Sequence, residues 1–137
     1  MNNLKKKILI ISGGISKERA ISLETGKQVA KELKKNNYSI KVAEPDFKLI
    51  KVIKLFQPNI IFNALHGQFG EDGYIQSILE TTGIPYTHSG VIPSAIAMDK
   101  ELSKEIFIQN NIKTPKYITY SFDKSKIDLI KLIDKKL

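Results

Sequence analysis

The sequence has no cysteine in its 137 residues, and none of its apolar runs approaches the length of a membrane span. Without cysteine, neither a disulfide framework nor a thiolate metal site can form. The apolar run at residues 8–11 follows a basic segment but is too short for the core of a signal peptide, and a bilayer-crossing helix needs about 20 apolar residues. We therefore expect a cytoplasmic protein that does not insert into membranes.

Arginine is nearly absent, although the chain is basic. Its 22 lysines and arginines outnumber 14 acidic residues and give a formal net charge of +8, yet Arg19 is the only arginine. The guanidinium fork that suits phosphate and guanine recognition is therefore almost missing, and the lysines are scattered along the chain. A lysine-rich solvated surface explains the charge better than a nucleic-acid partner does, so we expect no such partner.

What the sequence does contain is an alternation of strand and helix signals. Short, β-branched apolar runs alternate with amphipathic stretches, which is typical of parallel βαβ units. The predicted strands lie at residues 6–12, 39–43, 59–65 and 84–87, and the predicted helices lie at residues 16–36, 47–56, 74–82 and 92–98. These elements predict an α/β fold in three layers, with a parallel sheet between helices.

The alternation changes after residue 98. A predicted helix at residues 99–109, a strand at 116–120 and a helix at 125–137 complete the chain. Three elements of this size are too few to bury a core of their own. We therefore assign residues 1–98 to one α/β domain and residues 99–137 to the beginning of a second domain.

Two polar loops follow predicted strands and lead into predicted helices. The loop at residues 12–19 contains two glycines and Glu18, and the loop at residues 66–73 contains three glycines, His66 and two carboxylates. Parallel sheets bind ligands beyond the carboxyl ends of their strands, so both loops can face one cleft. The start of a helix in the first loop also favours anions.

Each of these loop residues also has a purely structural interpretation. His66 can be a hydrogen-bonded structural histidine, Glu71 and Asp72 can cap the helix that follows, and Glu18 can pair with Arg19 in solvent. The two histidines lack metal-ligand spacing, and the dinucleotide, P-loop and serine-nucleophile motifs are missing. From the residues alone, we predict an α/β domain that binds a small polar ligand.

Four segments in register resemble the D-alanine–D-alanine ligase family. They are Gly13-Gly14-x-Ser16-x-Glu18-Arg19-x-x-Ser22-Leu23, Leu65-His66-Gly67-x-x-Gly70-Glu71-Asp72-Gly73-x-x-Gln76, Gly83-Ile84-Pro85-Tyr86-Thr87, and Ser94-Ala95-x-Ala97-Met98-Asp99-Lys100. Their order and spacing agree with the family from about Lys7 to Pro115, which is most of the chain. Together they are far more specific than any one of them alone.

The resemblance implies an ATP-grasp ligase that uses ATP and Mg²⁺ to join two D-alanines for peptidoglycan synthesis. One D-alanine carboxylate is phosphorylated, and the amine of the second D-alanine attacks the resulting acyl phosphate. The resemblance also implies a Rossmann-like, pre-ATP-grasp fold for residues 1–98, the incomplete start of an ATP-grasp domain after it, and a homodimer in the complete enzyme.

The resemblance also implies roles for individual residues. Glu18 matches the acidic residue that holds the ammonium of the first D-alanine, and His66 matches the histidine beside the reacting carboxyl group, so both are implied as catalytic and substrate-binding. Ile21 and Ser22 belong to the same substrate-binding set and would help to hold the Glu18 loop. Lys100 matches the lysine that reaches the ATP phosphates, as a long cationic side chain can.

The sequence departs from the family pattern in two ways. His88 stands where the family turn has glycine, which we expect to alter loop packing and not chemistry. The family's remaining nucleotide-binding residues, its catalytic arginine and its magnesium-binding carboxylates have no counterparts here, so we expect the chain alone to be inactive. The alternative is a non-catalytic module that uses the same fold to bind a small ligand or another protein.

Overall fold

The structure is a computed structural model, and it describes residues 5–119. Its elements are β1 (Lys7–Ile11), α1 (Arg19–Lys35), β2 (Ser39–Ala43), α2 (Leu49–Phe56), β3 (Ile60–Asn63), α3 (Tyr74–Glu80), α4 (Val91–Met98) and α5 (Lys100–Gln109). The chain divides into two compact units between Met98 and Asp99. Within residues 5–119, no helix is long and apolar enough to cross a bilayer.

The three strands form one parallel sheet in the order β2-β1-β3. β1 lies in the centre, where Leu9, Ile10 and Ile11 expose none of their surface. A continuous apolar run rich in β-branched residues suits a parallel strand that is covered on both faces. The predicted α/β fold with a parallel sheet is therefore confirmed.

Alternate residues of β1 contribute to two separate apolar clusters. Leu9 and Ile11 pack in one cluster with buried residues of α2 and α3. Ile8 and Ile10 pack in the other cluster with Ala30 of α1. Because successive side chains of a strand point to opposite faces, the sheet is covered by α1 on one side and by α2 and α3 on the other. The domain therefore has the three layers that the sequence predicts.

The prediction of a strand at residues 84–87 is wrong, because this segment forms only an isolated bridge. Ile61 pairs in parallel with Tyr86, and Thr87 N donates to Ile61 O at 3.0 Å. The next donor on β3, the backbone N–H of Asn63, reaches the Thr87 hydroxyl at 3.0 Å instead of a backbone carbonyl. The side-chain hydroxyl thus takes the position of a ladder partner, and the pairing stops.

Tyr86 fastens this short segment to α3. Its hydroxyl donates to Glu80 Oε1 at 3.0 Å. Burial, this hydrogen bond and the negative charge of Glu80 all raise the pKa of the Tyr86 phenol. The phenol therefore stays protonated at neutral pH and keeps its role as the donor.

The second unit begins with α5. Asp99 is its N-cap, and the Asp99 carboxylate accepts from the N–H groups of Glu101 and Leu102 at 3.0 Å each. Residues 116–119 carry no strand, contrary to the prediction for residues 116–120, because an alternating pattern forms a strand only where backbone partners are supplied. The helix predicted at residues 125–137 lies outside the described residues.

Candidate functional site

The loops after β1 and β3 lie at the same edge of the sheet. The chain passes from β1 outward to β2 and then returns to pair β3 with the other side of β1. Open parallel sheets leave a crevice where the strand order reverses in this way, outside the carboxyl ends of the two strands. The crevice is therefore bordered by the two polar loops singled out in the sequence.

Ser16 connects these two loops directly. Its hydroxyl donates to the backbone oxygen of His66 at 2.8 Å and accepts from Glu18 N at 3.0 Å. Helix α1 begins at Arg19, later than the predicted start at residue 16, with Glu18 as its N-cap and without a side-chain cap bond. The hydroxyl is instead used in the turn before the helix, and the predicted convergence of the two loops is confirmed.

Ser22 supports the first loop from inside the protein. Its hydroxyl accepts from Gly13 N at 2.8 Å and donates to the backbone oxygen of Ala64 at 2.7 Å. The residue has no exposed surface, so its contribution is to hold the loop and not to touch a ligand. Its neighbour Ile21 is 56% exposed on the surface of α1.

Glu18 is exposed and lies against the backbone of Gly67. A Cβ atom at position 67 would collide with the Glu18 carboxylate, and Gly67 has a φ of 68°, which favours glycine. Within residues 5–119, the Glu18 carboxylate has neither a hydrogen bond nor an ion pair. The loop geometry thus presents an unpaired carboxylate beside His66.

His66 has a hydrogen-bond partner at one ring nitrogen and faces a carboxylate with the other. Nε2 lies 3.1 Å from Thr25 Oγ1, and Nδ1 lies 3.8 Å from Glu71 Oε1. About a third (34%) of the His66 side chain remains exposed. The hydroxyl of Thr25 on α1 therefore contacts the imidazole at hydrogen-bond distance, and part of the ring faces solvent.

The carboxylates of Glu71 and Asp72 stabilise the second loop. Glu71 Oε2 accepts from Gly67 N at 2.7 Å. Asp72 accepts from Phe69 N at 2.8 Å and from Tyr74 N at 3.1 Å, at the start of α3. Asp72 therefore supports the start of α3, whereas Glu71 bonds within its own loop and does not cap the helix, contrary to the structural alternative for that residue.

Arg19 pairs with Glu44 and not with Glu18. Its Nη2 lies 2.6 Å from Glu44 Oε1, at the end of β2. The other oxygen, Glu44 Oε2, accepts from Gly14 N at 3.3 Å. The alternative of a Glu18–Arg19 pair is therefore wrong, because a third residue from the neighbouring strand takes the guanidinium.

An apolar cleft of about 430 Å³ opens beside His66. Phe47 and Ile15 border it and are 90% and 83% exposed. Phe69 also lines it, in edge-to-face contact with Tyr74 at a centroid distance of 5.3 Å. The crevice therefore combines apolar surface with the polar groups of the two loops.

Lys100 belongs to the second compact unit and is considered there by itself. It is the first residue of α5, and it is exposed. Lys104 of the same helix is engaged by Pro115 O at 2.8 Å, whereas no contact within residues 5–119 involves the Lys100 ammonium. No group of three or more metal-binding side chains of the kind found in protein metal sites occurs in this described range.

Thr25 and Glu44 are site residues that the sequence analysis did not identify. Thr25 is seven residues after Glu18, a spacing that returns to the same face of a helix. Glu44 follows a predicted strand that neighbours β1, at the sheet edge where ligands bind. The spacing of Thr25 and the position of Glu44 could both be read from the sequence. A single threonine or glutamate, however, is too common a residue to indicate a site.

Comparison with known proteins points to one family. A family model described as D-ala D-ala ligase N-terminus matches residues 43–89. A D-alanine–D-alanine ligase of Pelagibacter ubique is 69% identical over 134 residues, which cover 98% of this chain and 44% of the relative. The chain belongs to the D-alanine–D-alanine ligase family. A Wolbachia pipientis ligase is 50% identical over 109 residues, so the chain spans less than half the length of these relatives, 44% and 35%.

Solved ligases of this family have the same fold as this chain. The Bacillus anthracis ligase, in complex with ATP, matches with a TM-score of 0.74 and 38% identity over 93% of this chain and 44% of that one. The Coxiella burnetii ligase matches with a TM-score of 0.77 over 96% of this chain and 49% of that one; at 23% identity this is a likeness of fold alone. The Rossmann-like fold of the N-terminal domain agrees with these neighbours.

Proposed function

We propose that this chain provides the N-terminal part of an enzyme that joins two D-alanines at the expense of ATP. Within it, Glu18 and His66 form the wall that holds the first D-alanine. The observation that carries this proposal is the Glu18 carboxylate, which has no partner within residues 5–119 and lies on a loop that Ser16 joins to the backbone of His66. The membership of the family supports the same assignment.

Glu18 would bind the ammonium of the first D-alanine in a charge-assisted hydrogen bond. With its ammonium held there, the carboxyl group of the same molecule remains available for phosphorylation. His66, whose ring contacts the Thr25 hydroxyl, would line the position of that carboxyl group. The amine of the second D-alanine would then attack the acyl carbon, and phosphate would leave.

ATP is part of this proposal as the phosphoryl donor. Lys100 would hold a nucleotide phosphate, because its exposed ammonium is not engaged within residues 5–119. Magnesium ligands are not assigned, since this described range offers no suitable group of side chains. A homodimer, a cytoplasmic location and a role in peptidoglycan synthesis complete the proposal, and they rest on the resemblance to the family.

A chimera tests the proposal. The matched residues of this chain replace those of the 69% identical Pelagibacter ubique ligase, and D-alanine-dependent phosphate release is measured. We expect an active chimera, and we expect Glu18→Gln to raise the KM for the first D-alanine about tenfold or more, because a hydrogen bond between charged groups is lost.

Glu24→Gln is the matched control for this substitution. Glu24 lies on α1 as well, and its carboxylate accepts from Gln28 at 3.0 Å on the exposed face of the helix. The control should keep the KM of the unchanged chimera. Equal effects of the two substitutions, or a folded chimera that releases no phosphate, would contradict the proposed function.

A further inference from the structure

The ion pair between Arg19 and Glu44 is built into the first loop. Glu44 reaches across from the end of β2, with one carboxylate oxygen 2.6 Å from Arg19 Nη2 and the other 3.3 Å from Gly14 N. A Cβ atom at position 13 would lie 2.6 Å from Glu44 Oε2, and Gly13 has a φ of 95°. The position of the Glu44 carboxylate thus depends on the glycines that shape the loop.

Arg19 follows Glu18 directly and is the only arginine of the chain. Glu18 is the N-cap of α1 and lies outside the helix, so helical geometry does not keep the two side chains apart. Without Glu44, the guanidinium would lose its carboxylate partner, and the unpaired Glu18 carboxylate would be the adjacent one. Arg19 would then compete with any cationic ligand of Glu18.

We propose that Glu44 is a positioning residue of the amino-acid subsite, which holds Arg19 and so keeps the Glu18 carboxylate free for an ammonium ligand. This inference rests on the proposed function of Glu18. The side chains of Arg19 and Glu44 are 43% and 45% exposed, and ion pairs of such exposure contribute little to folding stability. The effect of removing Glu44 should therefore appear in ligand binding and not in unfolding.

The first experiment follows the guanidinium of Arg19 by ¹⁵N NMR and needs no ligand. Because Arg19 is the only arginine, its Nε–H signal is unambiguous. The substitution Glu44→Gln keeps the length of the side chain and an oxygen for Gly14 N, so it removes the charge and not the loop support. It should shift the Arg19 signal. The single variant Glu18→Gln, which keeps Glu44, should leave the signal nearly in place.

The double variant Glu18→Gln/Glu44→Gln reveals where the released guanidinium goes. We expect a second shift of the Arg19 signal relative to Glu44→Gln alone, because Glu18 is the partner of Arg19 in the single variant and the double variant removes it. If the double variant gives the same spectrum as Glu44→Gln, or if Glu44→Gln leaves the signal unchanged, the inference is overturned.

The second experiment measures D-alanine binding to the 137-residue chain by chemical-shift titration. Glu44→Gln should weaken binding by up to about fivefold, which is the strength expected of a competing exposed ion pair. Arg19→Gln/Glu44→Gln should recover most of the affinity, because the competing cation is gone. Glu32→Gln is the matched control: it breaks the exposed Lys35–Glu32 pair, which is 2.9 Å long and lies at the other end of α1, and should have no effect.

The two experiments separate failure of the inference from failure of the proposed function. A purely structural role of Glu44 predicts that the Arg19→Gln/Glu44→Gln variant binds no better than Glu44→Gln, and this result would overturn the inference. Absence of saturable D-alanine binding in the unchanged chain and in Glu18→Gln alike would count against the proposed function. In that case the NMR comparison of Arg19 still decides the inference.

Discussion

Small hydroxyl side chains determine the geometry of the larger groups at this site. Ser16 joins the loop of Glu18 to the backbone of His66, and the buried hydroxyl of Ser22 accepts from the backbone N–H of Gly13. Thr25 contacts the imidazole of His66 from α1. Each of these hydroxyls can donate and accept, so one side chain can connect two segments. The orientation of the implied catalytic residues therefore depends on neighbours that perform no chemistry.

Substitution of Thr25 tests this dependence at one atom pair. Thr25→Val preserves the shape of the side chain but removes the hydroxyl that lies 3.1 Å from His66 Nε2. We expect a changed ratio of His66 tautomers in long-range ¹H–¹⁵N spectra, and in the chimera a fall in kcat/KM of about threefold to tenfold for one lost hydrogen bond. Thr25→Ser keeps the hydroxyl and should keep both properties. Identical spectra for Thr25→Val and the unchanged chain would show that the contact does not hold the imidazole.

His88 has a strained backbone conformation. It has a φ of 78°, in the region that glycine adopts easily. Its ring packs edge-to-face with Phe62 at a centroid distance of 6.3 Å. Packing of the side chain therefore offsets part of the backbone strain.

A pair of variants isolates that strain. His88→Ala and His88→Gly both remove the ring, but only glycine relieves the backbone. We expect His88→Gly to be more stable than His88→Ala by about 1 kcal/mol in denaturant unfolding. An alanine variant as stable as the glycine variant would contradict the strained conformation.

At the scale of elements, the site depends on how closely α1 approaches the end of β1. Gly26 is buried within α1, and a Cβ atom there would lie 2.6 Å from both Cβ and Oγ of Ser12. The close approach places the first turns of α1 against the loops, where Ser22 can reach Gly13. A larger residue at position 26 would push the helix away from the crevice.

We expect Gly26→Ala to lower the free energy of unfolding, although helix propensity alone would raise it. Alanine in a helix is favoured over glycine by about 1 kcal/mol, whereas overpacking costs about 1–3 kcal/mol. We expect a net loss of about 1 kcal/mol in the free energy of unfolding, and partial recovery when Ser12→Gly is added. A stabilised Gly26→Ala variant would mean that α1 does not lie this close to β1.

At the scale of the whole molecule, the chain has a folded core and spans less than half the length of its relatives. The first unit contains two apolar clusters around its sheet, and the chain spans 44% of its Pelagibacter ubique relative. The carboxylates that would bind a metal ion do not occur as a group within residues 5–119. We therefore expect binding of one substrate and turnover to be separable properties.

We expect the 137-residue chain alone to bind D-alanine without releasing phosphate from ATP. Titration followed by NMR measures the first property, and a phosphate-release assay with ATP, Mg²⁺ and D-alanine measures the second. The active chimera described above serves as the positive control for the assay. Turnover by the isolated chain would show that its own residues complete the site.

Local sequence patterns determined the fold class and the position of the loops. The apolar run of β1 and the helical spacing of α2 fix their secondary structure through neighbours close in sequence, and the glycine-rich motifs located both loops. The segment at residues 84–87 escaped this reasoning, because a hydroxyl of Thr87 replaced a backbone partner. Such an outcome depends on the neighbouring strand and not on β-propensity.

Only the tertiary structure decided which side chains meet at the site. Ser16 and His66 are 50 residues apart, Thr25 and His66 are 41 apart, and Arg19 and Glu44 are 25 apart. No local periodicity encodes such pairs; they arise because parallel strands bring the starts of distant loops to one edge of the sheet. The sequence by itself therefore determined that Glu18 and His66 were candidates, and the packing of three strands decided that Arg19 is held by Glu44 while the Glu18 carboxylate has no partner within residues 5–119.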